Sequence, residues 1–384
     1  MKGGVRKRGS TWSYYFYIGE IDGKKKMKEK GGFKSKPECE KALIKALYEF
    51  ENGGYLTPKK ITLIQFSLEW LEEYVKPLRK ITTYNRYKEL IQKYISKTIG
   101  TMNMTDIQSF HIEQLLLNIK KENKISGATL QSIYTILNTI MNRALKLKII
   151  KDNPCKYVER PKRDKFIPDV LEVEEIEKAF NALDLEDKYD YMFNIALKIT
   201  LELGLRRGEL GGLEWKDINF KENILSVKNN LIYTNGHVKM TTPKTLESCR
   251  NIYISEKLIE LFKNLKTKQD IDREKYKDFY EKNIFNNIEY DFVMRWDNGK
   301  YIHPMYYTNK LTKVIKKAKI DKKVRFHDLR HTNATLLLSQ GVDFKVIQER
   351  LGHEDINTTL NTYSHVNKSM QKNATDKLNS ILDF

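Results

Sequence analysis

Four short stretches in the second half of the 384-residue chain carry side chains that could act on a phosphodiester. They are LGLRRGEL at 203–210, TPKT at 242–245, HDLRHT at 327–332, and LGH at 351–353 followed ten residues on by NTYSH at 361–365. Taken singly, each stretch is weak, because an arginine near a helix start is usually a surface residue and any of 22 tyrosines is usually packing. Taken together, they offer guanidiniums, an ammonium, imidazoles and a phenol.

These groups suit attack on a phosphodiester, which is a poor electrophile because it is already anionic. In-line attack gathers more charge on the equatorial oxygens, and two guanidiniums can bind those oxygens through forked, permanently charged donors. An imidazole can donate to the same phosphoryl group or relay a proton, and an ammonium can protonate the leaving 5′ oxygen. A phenol forms a phosphotyrosine ester that keeps the energy of the broken bond, so rejoining needs neither ATP nor metal, and no cofactor is predicted. The candidate catalytic residues are Arg206, Lys244, His327, Arg330, His353 and Tyr363.

The order and spacing of these stretches resemble the tyrosine recombinase, or phage integrase, family. Its motifs are G-L-R-x-x-E-L, a lysine in a strand turn, H-x-L-R-H, L-G-H and a nucleophilic tyrosine shortly afterwards, and all six catalytic positions hold the expected residue type here. The resemblance implies that the two arginines clamp the scissile phosphate, the lysine is the general acid, the histidines assist and the tyrosine attacks. It implies site-specific integration and excision of a mobile element through a 3′-phosphotyrosine intermediate and a Holliday junction. Gly208 departs mildly from the family, in which serine is common.

Three alternatives stay open at this point. A type IB DNA topoisomerase shares most of this active site, and a non-catalytic DNA-binding protein could keep the same scaffold. A metal site is the third, because His327 and His331 stand at i and i+4 as in H-E-x-x-H zinc proteases. Asp328 is shorter than the glutamate that such a site requires, and Arg330 would repel the cation. The six intact positions favour an enzyme, and no metal site is predicted.

The charge of the chain fits a long polyanionic partner. A formal net charge of +19 comes from 69 Lys and Arg against 50 Asp and Glu, and residues 1–60 carry 15 basic and 7 acidic residues. A second basic cluster occupies the proline-punctuated stretch 156–165. Two separated basic surfaces suit double-stranded DNA, since each phosphate neutralised releases condensed counterions.

Other features of the composition predict a cytoplasmic protein without a membrane anchor, and the resemblance places it on DNA in a bacterial host cell. No apolar run approaches the roughly 20 residues that span a bilayer, and no apolar signal segment follows the basic N-terminus. Cys39, Cys155 and Cys249 form no CxxC pair. Their spacing indicates reduced thiols.

The N-terminal segment is predicted to be a small sheet packed on a helix. Aromatic residues alternate over 12–18, the Asp22-Gly23 pair predicts a turn, 24–33 reads as a second strand, and 36–51 reads as a helix ended by Gly53-Gly54. One aromatic face would pack on the helix and leave the other face, with the lysines of the second strand, open to a DNA groove. The candidate DNA-binding residues of this face are Tyr15, Tyr17, Lys24, Lys26 and Lys28.

The elements that must position the chemistry follow. Residues 62–150 predict four amphipathic helices, with capping boxes at Thr62-x-x-Gln65 and Thr105-x-x-Gln108. Prolines 154, 161 and 168 mark the main domain boundary, and the charged stretch 264–281 is interpreted as an exposed helix or an insertion. Helices are predicted over 172–183, 189–203, 207–213, 304–318, 328–340 and 344–351, and strands over 224–227, 231–234, 237–240 and 251–254 around the turn Asn235-Gly236.

The predicted fold class is therefore multidomain: a small three-stranded sheet plus helix, an all-α core-binding bundle, and a mixed α+β tyrosine recombinase catalytic domain. The predicted domains are an arm-type DNA-binding domain (1–56), a helical SAM-like core-binding domain (60–152), a linker (153–168), a catalytic domain (169–366) and a tail (367–384). The resemblance implies that the first domain binds arm sites while the next two clamp the core site, with Lys162 and Arg163 of the linker on DNA. It also implies a homotetramer on DNA, linked by tails packed on neighbouring protomers, and accessory proteins for excision and DNA bending.

Overall fold

The computed structural model describes residues 3–21, 24–51, 61–123, 125–164, 168–242 and 249–352, with 375, 376, 378, 379 and 382 near the C-terminus. The predicted turn at Asp22-Gly23, the helix end at Gly53-Gly54 and most of the tail lie outside these residues. The chain divides into two compact units, residues 1–165 and 166–384.

The first unit opens with three antiparallel strands packed on a helix. They are β1 (Gly3–Arg8), β2 (Thr11–Ile21), β3 (Lys24–Phe33) and helix α1 (Lys36–Glu51), with β2 in the centre of the sheet. Tyr14 and Phe16 of β2 are buried against Leu43 of α1, which confirms the predicted aromatic face. The strand β1 has no alternating pattern, and only the resemblance implied it.

The register of the sheet corrects the predicted placement of Lys28. Residues directly opposite one another share a face, and Lys28 is opposite Phe16 whereas Glu29 is opposite Tyr15. Half-buried Lys28 therefore lies on the helix side of the sheet and not on the open face. The prediction was wrong because it gave both faces of β3 to lysine, although successive strand residues point to opposite faces. The side chains of Lys24 and Lys26 lie outside the described part of the chain.

A helical bundle with its own core completes the first unit. Its helices are α2 (Leu63–Trp70), α3 (Lys76–Leu78), α4 (Ile81–Leu90), α5 (Ser109–Asn123) and α6 (Gly127–Lys146), with π-helical turns at Leu71–Val75 and Ile91–Ile95. The first π-helical turn joins α2 to α3 and the second extends α4, so the predicted four helical segments are confirmed. The side chains that fill the core include Leu63, Ile95, Ile112 and Ile133.

The two predicted capping boxes have different outcomes. At Thr62, the hydroxyl accepts the Gln65 N–H and the Gln65 side chain accepts the Thr62 N–H, as predicted. The box at Thr105 is wrong, because α5 begins only at Ser109. There the Gln108 N–H donates to His111 Nδ1 at 3.1 Å, so a histidine side chain serves the helix start.

The stretch after α6 packs on the bundle. Cys155 and Val158 are buried in its core, and the Gly127 N–H donates to Asp164 Oδ2 at 2.6 Å. Burial raises the pKa of the Cys155 thiol to about 12. Cys39 is also buried, whereas Cys249 is exposed. The first half of the predicted linker thus contributes to the packing of the bundle.

The second unit mixes helices with short antiparallel strands. Its helices are α7 (Val173–Asn181), α8 (Lys188–Leu203), α9 (Arg207–Gly211), α10 (Glu256–Tyr276), α11 (Pro304–Lys317), α12 (Asp328–Ser339) and α13 (Phe344–Leu351). Its strands are β4 (Ile218–Asn219), β5 (Ile224–Val227), β6 (Asn230–Thr234), β7 (His237–Thr241), β8 (Arg250–Tyr253), β9 (Asn283–Phe285) and β10 (Ile288–Tyr290). A sheet of order β4-β5-β8 packs with most of the helices around one large core. The hairpins β6-β7 and β9-β10 pack around a smaller cluster of Leu231, Met240 and Phe292.

Most predicted elements of this unit are confirmed to within a few residues, and α13 and β5 have the predicted ends. Asn235 and Gly236 have φ of 50° and 78°, which is the conformation that a tight hairpin turn needs. The hairpin β9-β10 was missed. The charged stretch lies in α10 and the turn after it, and α10 is only partly exposed because Phe262 and Leu265 are buried in the core.

Within the described ranges, every helix is too short or too polar to cross a membrane.

Candidate active site

Arg206 is held at the turn between α8 and α9. Gly204 ends α8 with φ of 63°, and a Cβ there would overlap Leu351 Cδ2, so both the backbone and the packing require glycine. Glu209 then accepts two bonds from Arg206, one from Nη1 at 2.6 Å and one from the backbone N–H at 2.9 Å. The side chain of Arg206 stays 34% exposed, so it is fixed and accessible at once.

Arg330 lies in the first turn of α12 and is fully buried. Its Nη1 donates to the Gly204 carbonyl at 2.8 Å and its Nη2 donates to the Leu351 carbonyl. The turn before α9, which carries Arg206, therefore contacts the first turn of α12, because its Gly204 carbonyl accepts from Arg330. A buried guanidinium with such partners has a fixed orientation.

His327 lies directly before α12, beside the two arginines. Surrounding protein atoms and the charges of Arg330 and Arg206 lower its pKa, so the ring is neutral near pH 7. A neutral imidazole can donate through one nitrogen and accept through the other. His331, one turn later, has its ring 5.1 Å from the His327 ring at a perpendicular angle.

Three arginines bind the C-terminal end of α13. The carbonyls of residues 350, 351 and 352 accept, in that order, from Arg250 Nε at 2.6 Å, from Arg330 Nη2 and from Arg206 Nη2 at 3.1 Å. Carbonyls at a helix end have no partner within the helix and carry its negative dipole, so cations suit them. The chain continues directly from this end to His353.

Glu209 connects these arginines from within the protein. Its side chain is only 3% exposed, and its Oε2, which accepts the Arg206 backbone N–H, also accepts from Arg250 Nη2 at 2.9 Å. Burial alone would raise the pKa of Glu209, but Arg250 and Arg206 more than offset this and lower it to about 2. The carboxylate is therefore charged near neutral pH.

The structure brings together three of the predicted catalytic residues, Arg206, His327 and Arg330. The other three, Lys244, His353 and Tyr363, lie outside the described residues. Sequence reasoning missed Arg250. The signal was the glutamate of the first motif, since a buried carboxylate needs cationic partners and Arg206 is only one of them.

The zinc alternative would place the ion at His327 and His331. Burial and the neighbouring His327 lower the pKa of His331 to about 4. Asp328 accepts three bonds from Arg325, from the backbone N–H at 2.8 Å, from Nε at 3.0 Å and from Nη2 at 2.8 Å. In the ranges that the structure describes, no three His, Cys, Asp or Glu side chains group so as to hold a metal ion.

The open face of the N-terminal sheet carries a compact charged cluster. Arg6 and Arg8 both donate to Glu29, at 3.0 Å from each Nε, and the Arg6 guanidinium lies over the Tyr15 ring at 5.1 Å from its centre. The hydrogen bond from Arg6 lowers the pKa of Glu29 to about 2. Tyr15 and Tyr17 are half-buried on this face. The arginines were not among the predicted DNA-binding residues, which named the lysines of β3 instead.

Lys162 and Arg163 lie in the stretch that packs on the bundle, and both side chains are exposed. Arg163 Nε donates to Gln131 of α6, which holds the arginine against the bundle surface.

The sequence profile of the Phage integrase family matches residues 169–370, which is more than half of the chain and includes Arg206, Glu209, Arg250, His327 and Arg330. The chain belongs to the phage integrase family. It is a tyrosine recombinase, an enzyme that cleaves and rejoins DNA in site-specific recombination. Profiles of an Arm DNA-binding domain and of the Phage integrase N-terminal SAM-like domain match residues 5–49 and 62–119.

Curated relatives of this recombinase are similar along most of their length. A XerC-like tyrosine recombinase of Caldanaerobacter subterraneus subsp. tengcongensis is 28% identical over 380 residues, covering 95% of this chain and 94% of the relative. The ICEBs1 integrase of Bacillus subtilis is 30% identical over 329 residues, covering 84% of this chain and 83% of the relative. Nothing in these matches supports the topoisomerase alternative.

Solved structures share the fold at lower identity. The Tn1549 transposon integrase in complex with a circular intermediate DNA has a TM-score of 0.69 at 21% identity, over 83% of this recombinase and 99% of that chain. A lambda integrase dimer bound to a core site has a TM-score of 0.59 at 16% identity, over 95% of each chain. The predicted fold class is confirmed.

Proposed function

We propose that this recombinase integrates and excises a mobile genetic element through a 3′-phosphotyrosine intermediate and a Holliday junction. Tyr363 is the nucleophile, Arg206 and Arg330 clamp the scissile phosphate, Lys244 is the general acid, and His327 and His353 assist. The observation that carries the proposal is the convergence of Arg206 and Arg330 on adjacent carbonyls, with His327 beside them.

The clamp geometry supports binding of one phosphoryl group. Arg206 and Arg330 donate to the carbonyls of two consecutive residues, Gly352 and Leu351, which supports their joint binding of one phosphate. Among the described residues, Arg206 donates only to Glu209 and Gly352 from its guanidinium, so other N–H groups remain for a ligand. Such preorganised donors stabilise the charge that develops in the transition state.

The chemical step forms one phosphorus–oxygen bond and breaks another, and each proton has a donor and an acceptor. The Tyr363 oxygen forms a bond to phosphorus while the bond from phosphorus to the 5′ oxygen breaks. The 5′ oxygen takes a proton from Lys244. The phenol proton leaves through a neutral imidazole, and the lowered pKa of His327 keeps its ring in that form. Attack by a 5′ hydroxyl from the partner duplex reverses the step and releases the tyrosine.

The recombinase is proposed to hold DNA at two kinds of site. The sheet domain, residues 1–56, binds arm sites through Tyr15, Tyr17, Lys24 and Lys26. The bundle (60–152) and the catalytic domain (169–366) bind the core site, with Lys162 and Arg163 of the linker (153–168) on the DNA backbone. Tethering raises the effective concentration at the second site. The single-domain profile matches support this division.

The working assembly is proposed to be a homotetramer on two duplexes in the bacterial cytoplasm, with the tail (367–384) of each protomer packed on a neighbour. A solved lambda integrase tetramer bound to a Holliday junction supports this, with a TM-score of 0.56 to the present fold. Excision and DNA-bending proteins are the proposed accessory partners.

Capture of the covalent intermediate tests the proposal. Nicked duplexes carrying the element's ends lose a short fragment after cleavage and trap the protein on DNA without added metal. The wild-type recombinase should form an adduct that resists denaturation. Tyr363→Phe should form none, and Lys244→Ala should cleave poorly yet bind.

Tyr253→Phe is the matched control, because the Tyr253 side chain is 73% exposed in the same unit and has no proposed role. It should form the adduct at the wild-type rate. An adduct that persists in Tyr363→Phe would show that another residue is the nucleophile.

A further inference from the structure

Arg250, the first residue of β8, donates to three acceptor atoms among the described residues, in two different parts of the site. Two of its nitrogens donate to the Glu209 carboxylate, Nη2 at 2.9 Å and Nη1 at 3.3 Å, and Nε donates to the Arg350 carbonyl at 2.6 Å. All three nitrogens of the Arg250 guanidinium thus donate to protein acceptors, and its side chain is 5% exposed. Its role must therefore pass through the groups that it binds.

Glu209 transmits the position of Arg250 to the phosphate clamp. The same Oε1 that accepts from Arg250 Nη1 also accepts from Arg206 Nη1 at 2.6 Å. Because the buried Arg250 guanidinium donates to the Glu209 carboxylate, the carboxylate cannot rotate freely. Arg206 is therefore oriented by a fixed partner. Without Arg250, the carboxylate would lose its main counter-charge and be free to follow Arg206 toward the surface.

The Arg350 carbonyl transmits the position of Arg250 to the end of α13. Gly352, at φ of 63°, turns the chain there, and a Cβ on Gly352 would lie 3.1 Å from Arg250 Cδ. The arginine stem therefore packs under the residue that precedes His353. On its own strand, Arg250 also closes the connection from β7 that contains Lys244.

We propose that Arg250 is a positioning residue for strand cleavage: it locks Glu209, and through it Arg206, to the helix end from which the chain runs on to His353 and Tyr363. It sets the rate of the chemical step and leaves DNA affinity unchanged, because it touches no DNA. This inference rests on the proposed function.

The fork of arginine is essential to this role. A planar guanidinium donates to a carboxylate and a carbonyl in fixed directions, whereas an ammonium is a point charge on a flexible stem. Lysine at position 250 could neutralise Glu209 but could not hold both acceptors at the observed angles. The conservative variant therefore separates charge from geometry.

The test measures single-turnover cleavage of nicked duplexes at saturating recombinase, and duplex affinity by fluorescence anisotropy, on the full chain. Arg250→Gln should cleave about a hundredfold more slowly, since misplacement of a clamp by about 1 Å has that effect, and should bind DNA within about threefold of wild type. The cleavage rate of Arg250→Lys should be about tenfold below that of the wild type, and so between the rates of the wild type and Arg250→Gln.

Arg295→Gln is the matched control. Arg295 is as buried as Arg250, at 3% exposure of its side chain, and also pairs with a carboxylate, that of Asp291, which is 51% exposed. Its loss should lower stability and leave the cleavage rate of the folded protein near that of wild type. Thermal unfolding of all variants identifies any that are not folded at the assay temperature.

Three results would overturn the inference. These are wild-type cleavage by Arg250→Gln, a loss of cleavage matched by an equal loss of affinity, and an equal loss of cleavage in Arg295→Gln. Should Arg250→Gln fail to fold, Arg250→Lys decides, because cleavage at the wild-type rate would show that the fork is dispensable. A wild-type chain that forms no adduct contradicts the proposed function and this inference with it, whereas intact cleavage without Arg250 contradicts this inference alone.

Discussion

Replacing Glu209 with glutamine should destabilise the catalytic unit by about 3 kcal/mol near neutral pH. A carboxyl pKa of about 2 in place of the ordinary 4.5 corresponds to about 3 kcal/mol in favour of the folded state. Removal of one partner from a buried ion pair leads to a similar figure, about 3 to 5 kcal/mol, because the guanidinium of Arg250 would be left without its counter-charge. The two routes agree.

The pH dependence has a definite sign. Since the pKa of Glu209 is lowered on folding, its contribution is complete above pH 4.5 and is lost as the pH falls from 4.5 toward 2. The difference between wild type and Glu209→Gln should therefore be constant from pH 8 to pH 6 and should shrink only in acid.

Peptide-resolved hydrogen exchange is the suitable assay, because it reports the catalytic unit separately from the first unit. A loss of about 3 kcal/mol should speed exchange of the α8 amides, Lys188–Leu203, by about a hundredfold. Glu289→Gln is the matched control, since its pair with Lys282 is exposed and should contribute less than about 1 kcal/mol. Equal exchange in the two variants, or a difference that disappears already at pH 6, would refute the reasoning.

Four further outcomes are expected. Gly204→Ala should destabilise the catalytic unit by about 3 kcal/mol in chemical unfolding, because a left-handed φ and a crowded Cβ both oppose alanine; a loss below about 1 kcal/mol would contradict this. Tyr307→Phe should keep or raise the unfolding free energy by up to about 1 kcal/mol, since its buried hydroxyl has no acceptor among the described residues, and a marked loss would reveal one. In His331→Gln, the unfolding free energy should fall less between pH 6.5 and pH 4 than in the wild type. The folded His331, with a pKa of about 4, resists a proton that the unfolded chain takes up. An unchanged pH dependence of the unfolding free energy, measured with urea, would disprove this. Glu29→Gln should free the arginines of the open sheet face. The slope of log affinity for arm-site DNA against log salt concentration should then steepen by about one to two, as fluorescence anisotropy would measure. An unchanged slope would exclude those arginines from the interface.

Local patterns in the sequence were sufficient for elements whose ends are encoded nearby. The capping box at Thr62 and the left-handed glycine at 352 are both decided within four residues, and the predicted helix ends there agree with the structure. The box at Thr105 failed because two similar signals compete over 105–111, and His111 serves the later helix start. The missed hairpin β9-β10 turns at Asn286 and Asn287, both at positive φ, but strands of three residues give no readable alternation.

The candidate site could be predicted in its residue types but not in its connections. The motifs located Arg206, His327 and Arg330, and the structure brings these three together. Arg250 could not be found in this way, because its partners are distant in sequence. Glu209 lies 41 positions earlier and the Arg350 carbonyl 100 positions later, and no local sequence pattern connects these residues. Lys28 shows the same limit in the sheet, where strand register, set by pairing with β2, decides which face a lysine occupies.

The distribution of thiols makes this recombinase easy to observe at work. Cys39 and Cys155 are buried in two separate cores, whereas Cys249 is exposed and directly precedes Arg250 in the sequence. A maleimide dye should therefore attach at a single place in the folded wild-type chain, beside the connection that contains Lys244. Fluorescence from that one label would follow DNA engagement in real time, with no engineered cysteine and no residue of the phosphate clamp altered.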